Sequence, residues 1–338
     1  MSDFGWALVG PGRIAHRFAD AVHRLPGTYL RSVWGRDATR AAEFARHWTR
    51  AGKLPPRVEP MLAALLGDAA IDAVYIATPH AVHGEFIRRC IEAGKPVLCE
   101  KPLVPTLAVA RELVTLAQDR GVFLMEALWS RFLPIYAQVG DWLRSGAIGQ
   151  VNAIQSSFCF PVPYDPESRL FSAALAGGAL LDIGIYNVAM TRWVLEAALG
   201  ACPAPVSLRA EGVLAPSGVD QRAAATILFP GGVVSQFVCG FDSQADNALR
   251  IFGDAGCISV PQRFWEATEA VLSRPHEQPQ AVSAPLRFNG FEEEIEVAIR
   301  CVRAGLTESP RMPHAETLAI VGCLDALRHQ IGVRYPFE

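Results

Sequence analysis

The stretch Trp6-Ala7-Leu8-Val9-Gly10-Pro11-Gly12-Arg13-Ile14-Ala15 decides the fold. Trp6 to Val9 is a short apolar run. After the glycines, Ile14, Phe18, Ala21, Val22 and Leu25 recur at helical spacing until Pro26-Gly27. The reading is strand, glycine turn, helix. In a G-x-G-x-x-A sequence so placed, the first glycine allows the tight turn and the second lets backbone N–H groups approach a pyrophosphate. Ala15 permits close helix-strand packing, and the helix N-terminus faces the anion. The position between strand and helix separates this from an ordinary glycine-rich turn and predicts dinucleotide binding, with Gly10, Gly12, Arg13 and Ile14 against the cofactor.

The same grammar repeats outward. Strands are predicted at Leu30 to Trp34, Ile71 to Ala77, Pro96 to Cys99 and Val122 to Met125. Helices are predicted at Ala38 to Trp48, Met61 to Leu66, Val82 to Ala93 and Thr106 to Arg120. Such alternation with short connections implies an α/β, doubly wound (Rossmann) domain with a parallel sheet. Past about Ala127 the pattern changes. A helix near Ile135 to Arg144 precedes strand-like runs at Val151 to Phe160 and Val206 to Leu214. A hairpin is predicted around Pro230-Gly231-Gly232, a second around Gly253 to Gly256, and helices near Phe291 to Ala304 and Ala315 to Gln330. Hairpins mean antiparallel pairing, so the second domain is α+β. The expected division is 1–126 and 127–338, and a chain of 338 residues suits two domains of roughly 150. Arg263 to Leu286 carries no motif that can be placed.

Composition narrows the partners. Lys plus Arg number 31 against 34 Asp plus Glu, a net charge of -3, so nothing in the balance suits a nucleic acid. The eight cysteines include no C-x-x-C pair and no Cys/His spacing that would build a zinc site; no metal is expected, and a reducing, cytoplasmic setting is. Asp3 and the lack of a basic n-region argue against a secretory signal. The longest apolar region, about Ala173 to Met190, is interrupted by paired glycines, Asp182 and Asn187, so no membrane partner is expected.

Four further places carry candidate chemistry. Strand two ends in Trp34-Gly35-Arg36-Asp37, where Gly35 leaves room for a 2′-phosphate and Arg36 supplies a bidentate donor. This favours NADP over NAD, the alternative being that Arg36 is solvated and Asp37 binds the ribose. Thr78-Pro79-His80 closes the most hydrophobic strand at its carboxyl end, where ligands of such sheets bind. Glu100-Lys101-Pro102 follows another strand; Lys101 there can hold a hydroxyl or lower its pKa, or simply be a solvated lysine before a turn proline. Asp182 and Tyr186 stand four apart in GGALLDIGIYN and would share one helical face, both polar groups in apolar surroundings that demand partners for them. The plain alternatives are an N-cap for Asp182 and a satisfied buried tyrosine.

Taken in order, Gly10 to Ala15, Glu100-Lys101-Pro102 and the Asp182 to Tyr186 segment resemble the signature of the glucose-fructose oxidoreductase and inositol dehydrogenase (Gfo/Idh/MocA) superfamily. VYIATPHAVH, GKPVLCEKPL, VFLMEALWSRFLP and GGALLDIGIYNVAM are most similar to the branch of dimeric dihydrodiol dehydrogenases and NADP-dependent D-xylose dehydrogenases. The resemblance covers nearly the whole chain. It implies Tyr186 as acid/base, Lys101 as its assistant and Asp182 as an orienting group, with Trp129 and Arg131 near the substrate. Inositol-specific members have histidine where Tyr186 stands, which argues against inositol. The resemblance also implies an open sheet in the second domain and a homodimer or higher homo-oligomer.

The expected function is therefore NADP-dependent hydride transfer involving a sugar, such as an aldose, or a cyclic trans-diol. Two other readings stay open. One is a dinucleotide- and sugar-binding sensor without turnover; retention of Lys101 and Tyr186 weighs against it. The other is a glycoside-modifying enzyme of the same fold with a tightly held cofactor.

Overall fold

The computed structural model describes residues 3–49 and 55–338. They fall into two units, one drawn from within 1–129 together with 287–318 and one of 130–286 with 319–338.

The chain opens with β1 (Phe4–Val9), α1 (Arg13–Arg24), β2 (Thr28–Trp34), α2 (Ala38–His47), β3 (Arg57–Val58), α3 (Leu62–Gly67) and β4 (Ala73–Ile76). There follow α4 (His83–Glu92), β5 (Val97–Glu100), α5 (Leu107–Arg120) and β6 (Leu124–Ala127). The strands form one six-stranded sheet in the order β3-β2-β1-β4-β5-β6, every pair parallel. The strands β1, β4, β5 and β6 are buried at every position, as a sheet covered on both faces requires. α1 buries Ala15, Phe18, Ala19, Ala21 and Val22. Phe18 meets Trp6 edge-on at 5.2 Å and stacks on Tyr75 at 3.8 Å, a contact whose truncation to alanine would cost about 3–5 kcal/mol. Because the order reverses at β1, the connections after β1 and β4 leave in opposite directions and open a crevice at the strands' carboxyl ends. Gly10 and Thr78 both lie there.

The second unit is laid on α6 (Pro134–Arg144), β7 (Val151–Cys159), a π-helical turn (Leu180–Gly184), α7 (Ile185–Leu199), β8 (Ser207–Leu214), β9 (Asp220–Leu228), β10 (Val234–Gly240), β11 (Leu249–Gly253), β12 (Cys257–Val260), β13 (Glu269–Ser273) and β14 (Gln280–Ser283). The eight strands run β14-β13-β12-β11-β7-β10-β9-β8. All neighbours are antiparallel except β7 and β10, which pair in parallel. The β13–β14 hairpin fills the stretch after Arg263 that carries no sequence motif. One helical stretch among the described residues, Ala173–Leu199, is long and apolar enough to cross a membrane. However, 83% of its most apolar window is buried inside the protein, where α7 packs on β7 and β10.

The chain closes with α8 (Glu292–Arg303) and α9 (His314–Ile331). The sequence sets a single division at 126/127, whereas the structure returns residues 287–318 to the first unit. The reason is local bonding to α1. Arg17 Nε donates to the Asn289 carbonyl at 3.0 Å, and Asn289 Nδ2 donates to Arg17 O and Asp20 Oδ2, each at 2.9 Å.

Candidate active site

In the first unit the crevice is built by close backbone approach. Gly10 has φ +94°, and a Cβ there would stand 2.8 Å from the Ala77 carbonyl oxygen. Only glycine takes that conformation without strain. Gly35 is pressed on Pro11 in the same way, its Cβ position 2.7 Å from Pro11 Cδ. Gly12 starts α1 with no side-chain cap and no acidic residue in the first turn, which leaves the positive helix end to an external anion. Arg13 and Ile14 follow, both exposed. Thr78 Oγ1 is buried with no hydrogen-bond partner among the described residues. A bent glycine turn, an uncapped helix start and an unpartnered hydroxyl fit a dinucleotide.

Arg36 is exposed, and no carboxylate among the described residues lies within ion-pairing distance of it. Asp37 is otherwise engaged. Its Oδ1 accepts the N–H groups of Thr39 at 2.9 Å and Arg40 at 3.1 Å, capping α2.

Beyond β4, Pro79 leads into a short turn begun by His80, whose side chain is buried. The neighbouring His83, which sequence reasoning missed, ties the two candidate loops together. Its Nδ1 lies 3.0 Å from Pro102 O and its Nε2 2.8 Å from Thr78 O; burial holds its pKa below the ordinary value. The Lys101–Pro102 peptide is cis, and Leu103 N–H donates to Glu126 Oε1 at 2.7 Å. Lys101 is half-buried at the strand edge. Glu100 is buried and accepts from Tyr75 Oη at 2.5 Å, so its carboxylate belongs to the sheet interior. Burial and then Glu100 push the carboxyl of the fully buried Glu294 well up. Trp129 is buried under Arg17, 4.3 Å from its ring centre, and Phe291.

In the second unit Asp182 sits within the π turn and Tyr186 in the first turn of α7. Wide turns of this kind concentrate at functional sites. Asp182 lies inside the turn, whose N-cap position is Ala179; its Oδ1 accepts from Arg169 Nη1 at 2.9 Å, the carboxylate buried and the arginine 45% exposed. Two buried polar contacts fasten α7 to the sheet, Asn187 Nδ2 to Ser156 Oγ and Thr191 Oγ1 to Ser235 Oγ, both 2.8 Å. Tyr186 is 7% exposed and faces Phe158, ring centres 5.7 Å apart. Phe158 stacks flat on Trp265 at 3.4 Å. Those two aromatics, with Phe160, Gln244, Asn247 and Arg263, line a cavity of about 680 Å³, in the range of small-molecule sites. Arg131, by contrast, is buried and paired to Glu196 at 2.5 Å.

Sequence reasoning missed Arg169, His83 and Trp265. Only His83, three residues after His80, had a local signal; the other two gain their places through chain-distant contacts. None of the eight cysteines is in a disulfide, and no metal-holding cluster of His, Cys, Asp or Glu occurs among the described residues.

A Rossmann unit with this crevice, followed by a unit built on a mostly antiparallel sheet, is the architecture of a nicotinamide-dependent oxidoreductase. Residues 4–128 match the model "Oxidoreductase family, NAD-binding Rossmann fold", and residues 136–259 match "GFO/IDH/MocA C-terminal domain". The chain belongs to the Gfo/Idh/MocA family of dehydrogenases. It is 33% identical over 338 residues to trans-1,2-dihydrobenzene-1,2-diol dehydrogenase of Mus musculus, covering 98% of each chain, and 32% to that of Homo sapiens. Among solved structures it resembles a 3-ketoreductase of Actinomadura kijaniata in complex with NADP and TDP-benzene, at 26% identity and TM-score 0.84, covering 97% of this chain and 98% of that one. The aldose-aldose oxidoreductase of Caulobacter crescentus, at 22% identity and TM-score 0.84 over 97% of each chain, shares the fold.

Proposed function

We propose that the protein is a cytoplasmic, NADP-dependent dehydrogenase that oxidises a secondary hydroxyl of a cyclic trans-diol, or the anomeric hydroxyl of an aldose. The observation that carries the reading is Tyr186 beside the Phe158–Trp265 stack, in a chain that matches dihydrodiol dehydrogenases from end to end. A flat aromatic wall suits a six-membered ring. Gln244 and Arg263 offer donors for its hydroxyls.

Gly10, Gly12, Arg13 and Ile14 would hold the pyrophosphate side of NADP, Arg36 the 2′-phosphate, and the Thr78-Pro79-His80 and Glu100-Lys101 loops the nicotinamide side. When bound, NADP supplies the two-electron acceptor. Tyr186 Oη takes the hydroxyl proton as the carbinol C–H is lost, leaving a ketone from a diol or a lactone from an aldose. Lys101 is the cation that favours the ionised tyrosine. Asp182, held by Arg169, fixes the turn before Tyr186.

The open face of the second sheet, where Gln155, Arg209, Thr226, Gln236 and Arg250 line one groove, supports a homodimer. Val206, just before the edge strand β8, and Val213 and Leu214 on it lie exposed.

The test is a panel of cyclic trans-diols, aldoses and polyols with NADP or NAD, followed by absorbance of the reduced nicotinamide. Turnover of a diol or aldose with NADP above NAD supports the reading. Binding of NADP with no turnover on any of them would favour a sensor, and nicotinamide copurifying with the protein a tightly held cofactor.

A further inference from the structure

The stretch from 180 to 199 carries Asp182 and Tyr186, and its beginning is held by a residue from elsewhere in the chain. Asp220, the first residue of β9, is completely buried, and its Oδ2 accepts the N–H of Leu180 at 2.6 Å across forty residues of sequence. The preceding residue, Ala179, contributes no side-chain cap. Gly178 makes the approach possible: it has φ +113°, and a Cβ there would lie 2.2 Å from Asp220 Oδ1. The other oxygen, Oδ1, has no hydrogen-bond partner among the described residues. A buried carboxyl is thus aimed at a helix start, where orphan N–H groups and the positive end of the helix favour an acceptor.

We propose that Asp220 is a positioning residue for proton transfer, fixing the wide turn at Leu180 and thereby the place of the Tyr186 hydroxyl. The inference rests on Tyr186 as the proton carrier. Its physical basis is angular. Each residue of an α-helix advances about 100°, so a π turn that relaxes by one residue turns the side chains next to it by up to roughly that angle. The later contacts of Asn187 and Thr191 to the sheet do not involve this end, so α7 stays docked when Asp220 is cut back while Tyr186, nearest the released turn, shifts.

The test compares Asp220→Ala, Asp220→Asn and Tyr186→Phe in the full chain. Readouts are kcat and KM on the best diol or aldose, NADP affinity by fluorescence, and amide hydrogen exchange over residues 179–184. Asparagine keeps an acceptor of the same reach and alanine does not. Asp220→Ala is expected to lower kcat at least about tenfold, to leave NADP affinity within about twofold, and to speed exchange at Leu180. Asp220→Asn is expected to restore kcat to within about threefold of wild type and to restore slow exchange. Should the alanine variant fail to fold, Asp220→Ser, too short to reach the Leu180 N–H, carries the same comparison. Wild-type kcat in Asp220→Ala or Asp220→Ser while Tyr186→Phe is inactive overturns the proposal alone, as does an asparagine variant as slow as alanine with unchanged exchange. Wild-type turnover in Tyr186→Phe instead defeats the reading of Tyr186.

Discussion

Arg169 and Asp182 form an ion pair at 2.9 Å in which the carboxylate is buried and the guanidinium reaches solvent. Such a pair is asymmetric. Removing the arginine leaves a buried charge with one partner fewer, whereas removing the charge of Asp182 leaves an arginine that water can solvate. Screening at the exposed end lowers the cost below that of a fully buried pair. Arg169→Ala is expected to lose about 1–2 kcal/mol in urea unfolding. Adding Asp182→Asn to it should recover at least about half of that loss, since the uncompensated charge is then gone. Equal, additive losses in the two single variants and their combination would mean the pair is not coupled.

The proposed preference for NADP rests on Arg36 and Asp37. Because the Asp37 carboxylate caps α2 through Thr39 and Arg40, Asp37→Ala should lower stability by about 1 kcal/mol and leave the NADP-to-NAD preference unchanged. Arg36→Ala should weaken NADP and spare NAD. A charge-assisted hydrogen bond contributes about 1.5–3 kcal/mol, so a change in kcat/KM selectivity of about tenfold or more is expected. A change of less than about threefold would sink the 2′-phosphate role.

Asp220 also sets a pH dependence of stability. Burial pushes its carboxyl up to about 7 from the ordinary value of 3.8, against the opposing pull of the Leu180 N–H and of Arg328. The other titratable groups facing it are Cys239 and Tyr335, both held protonated by burial. Between these two pKa values the folded chain keeps a proton that the unfolded chain has released. Asp220 therefore contributes most at or below about pH 4, and its contribution is lost as pH rises to about 7, at up to about 1.4 kcal/mol per pH unit. Asp220→Asn cannot titrate. Denaturant unfolding from pH 5 to 8 should show wild type losing stability relative to the asparagine variant as pH rises; parallel curves would refute the shift.

What the sequence revealed was local. The strand-turn-helix at Gly10 to Ala15 and the alternating units behind it are written in periodicity and glycine placement, so the parallel sheet was legible. So was the Asp182 to Tyr186 segment, as two polar groups in an apolar run. What the sequence hid were meetings across the chain. Asp220 follows Gly218-Val219 and reads as a turn residue; only the register of β9 brings it under Leu180. The return of residues 287–318 to the first unit hangs on Asn289 bonding to α1, which has no periodic signature. Trp265 gains its place by stacking on Phe158, more than a hundred residues earlier. The π turn is invisible for another reason: it differs from an α-helix by one residue of register, and the carboxylate that meets its start lies forty residues on.

Tyr186 and Lys101 carry the most direct test of the chemistry. A free tyrosine titrates near pH 10, about three units above neutrality, so proton exchange at working pH needs a stabilised phenolate. The proposed function assigns such stabilisation to the Lys101 ammonium. Tyr186→Phe keeps the ring packed against Phe158 and removes the proposed proton carrier, and general acid/base catalysis is worth about 10²- to 10⁴-fold. A kcat loss in that range is expected, with NADP affinity unchanged because the glycine turn and Arg36 are untouched. Lys101→Met keeps the length and removes the charge. It should lower kcat as well, and the double variant should be little worse than Tyr186→Phe, because a cation that acts through a phenolate has nothing to assist once the hydroxyl is gone. Steady-state kinetics of the three variants with the best substrate decide the matter. If Tyr186→Phe binds NADP normally and keeps kcat within about fivefold of wild type, the proton travels by another group. His80, at the carboxyl end of β4, is then the residue to replace.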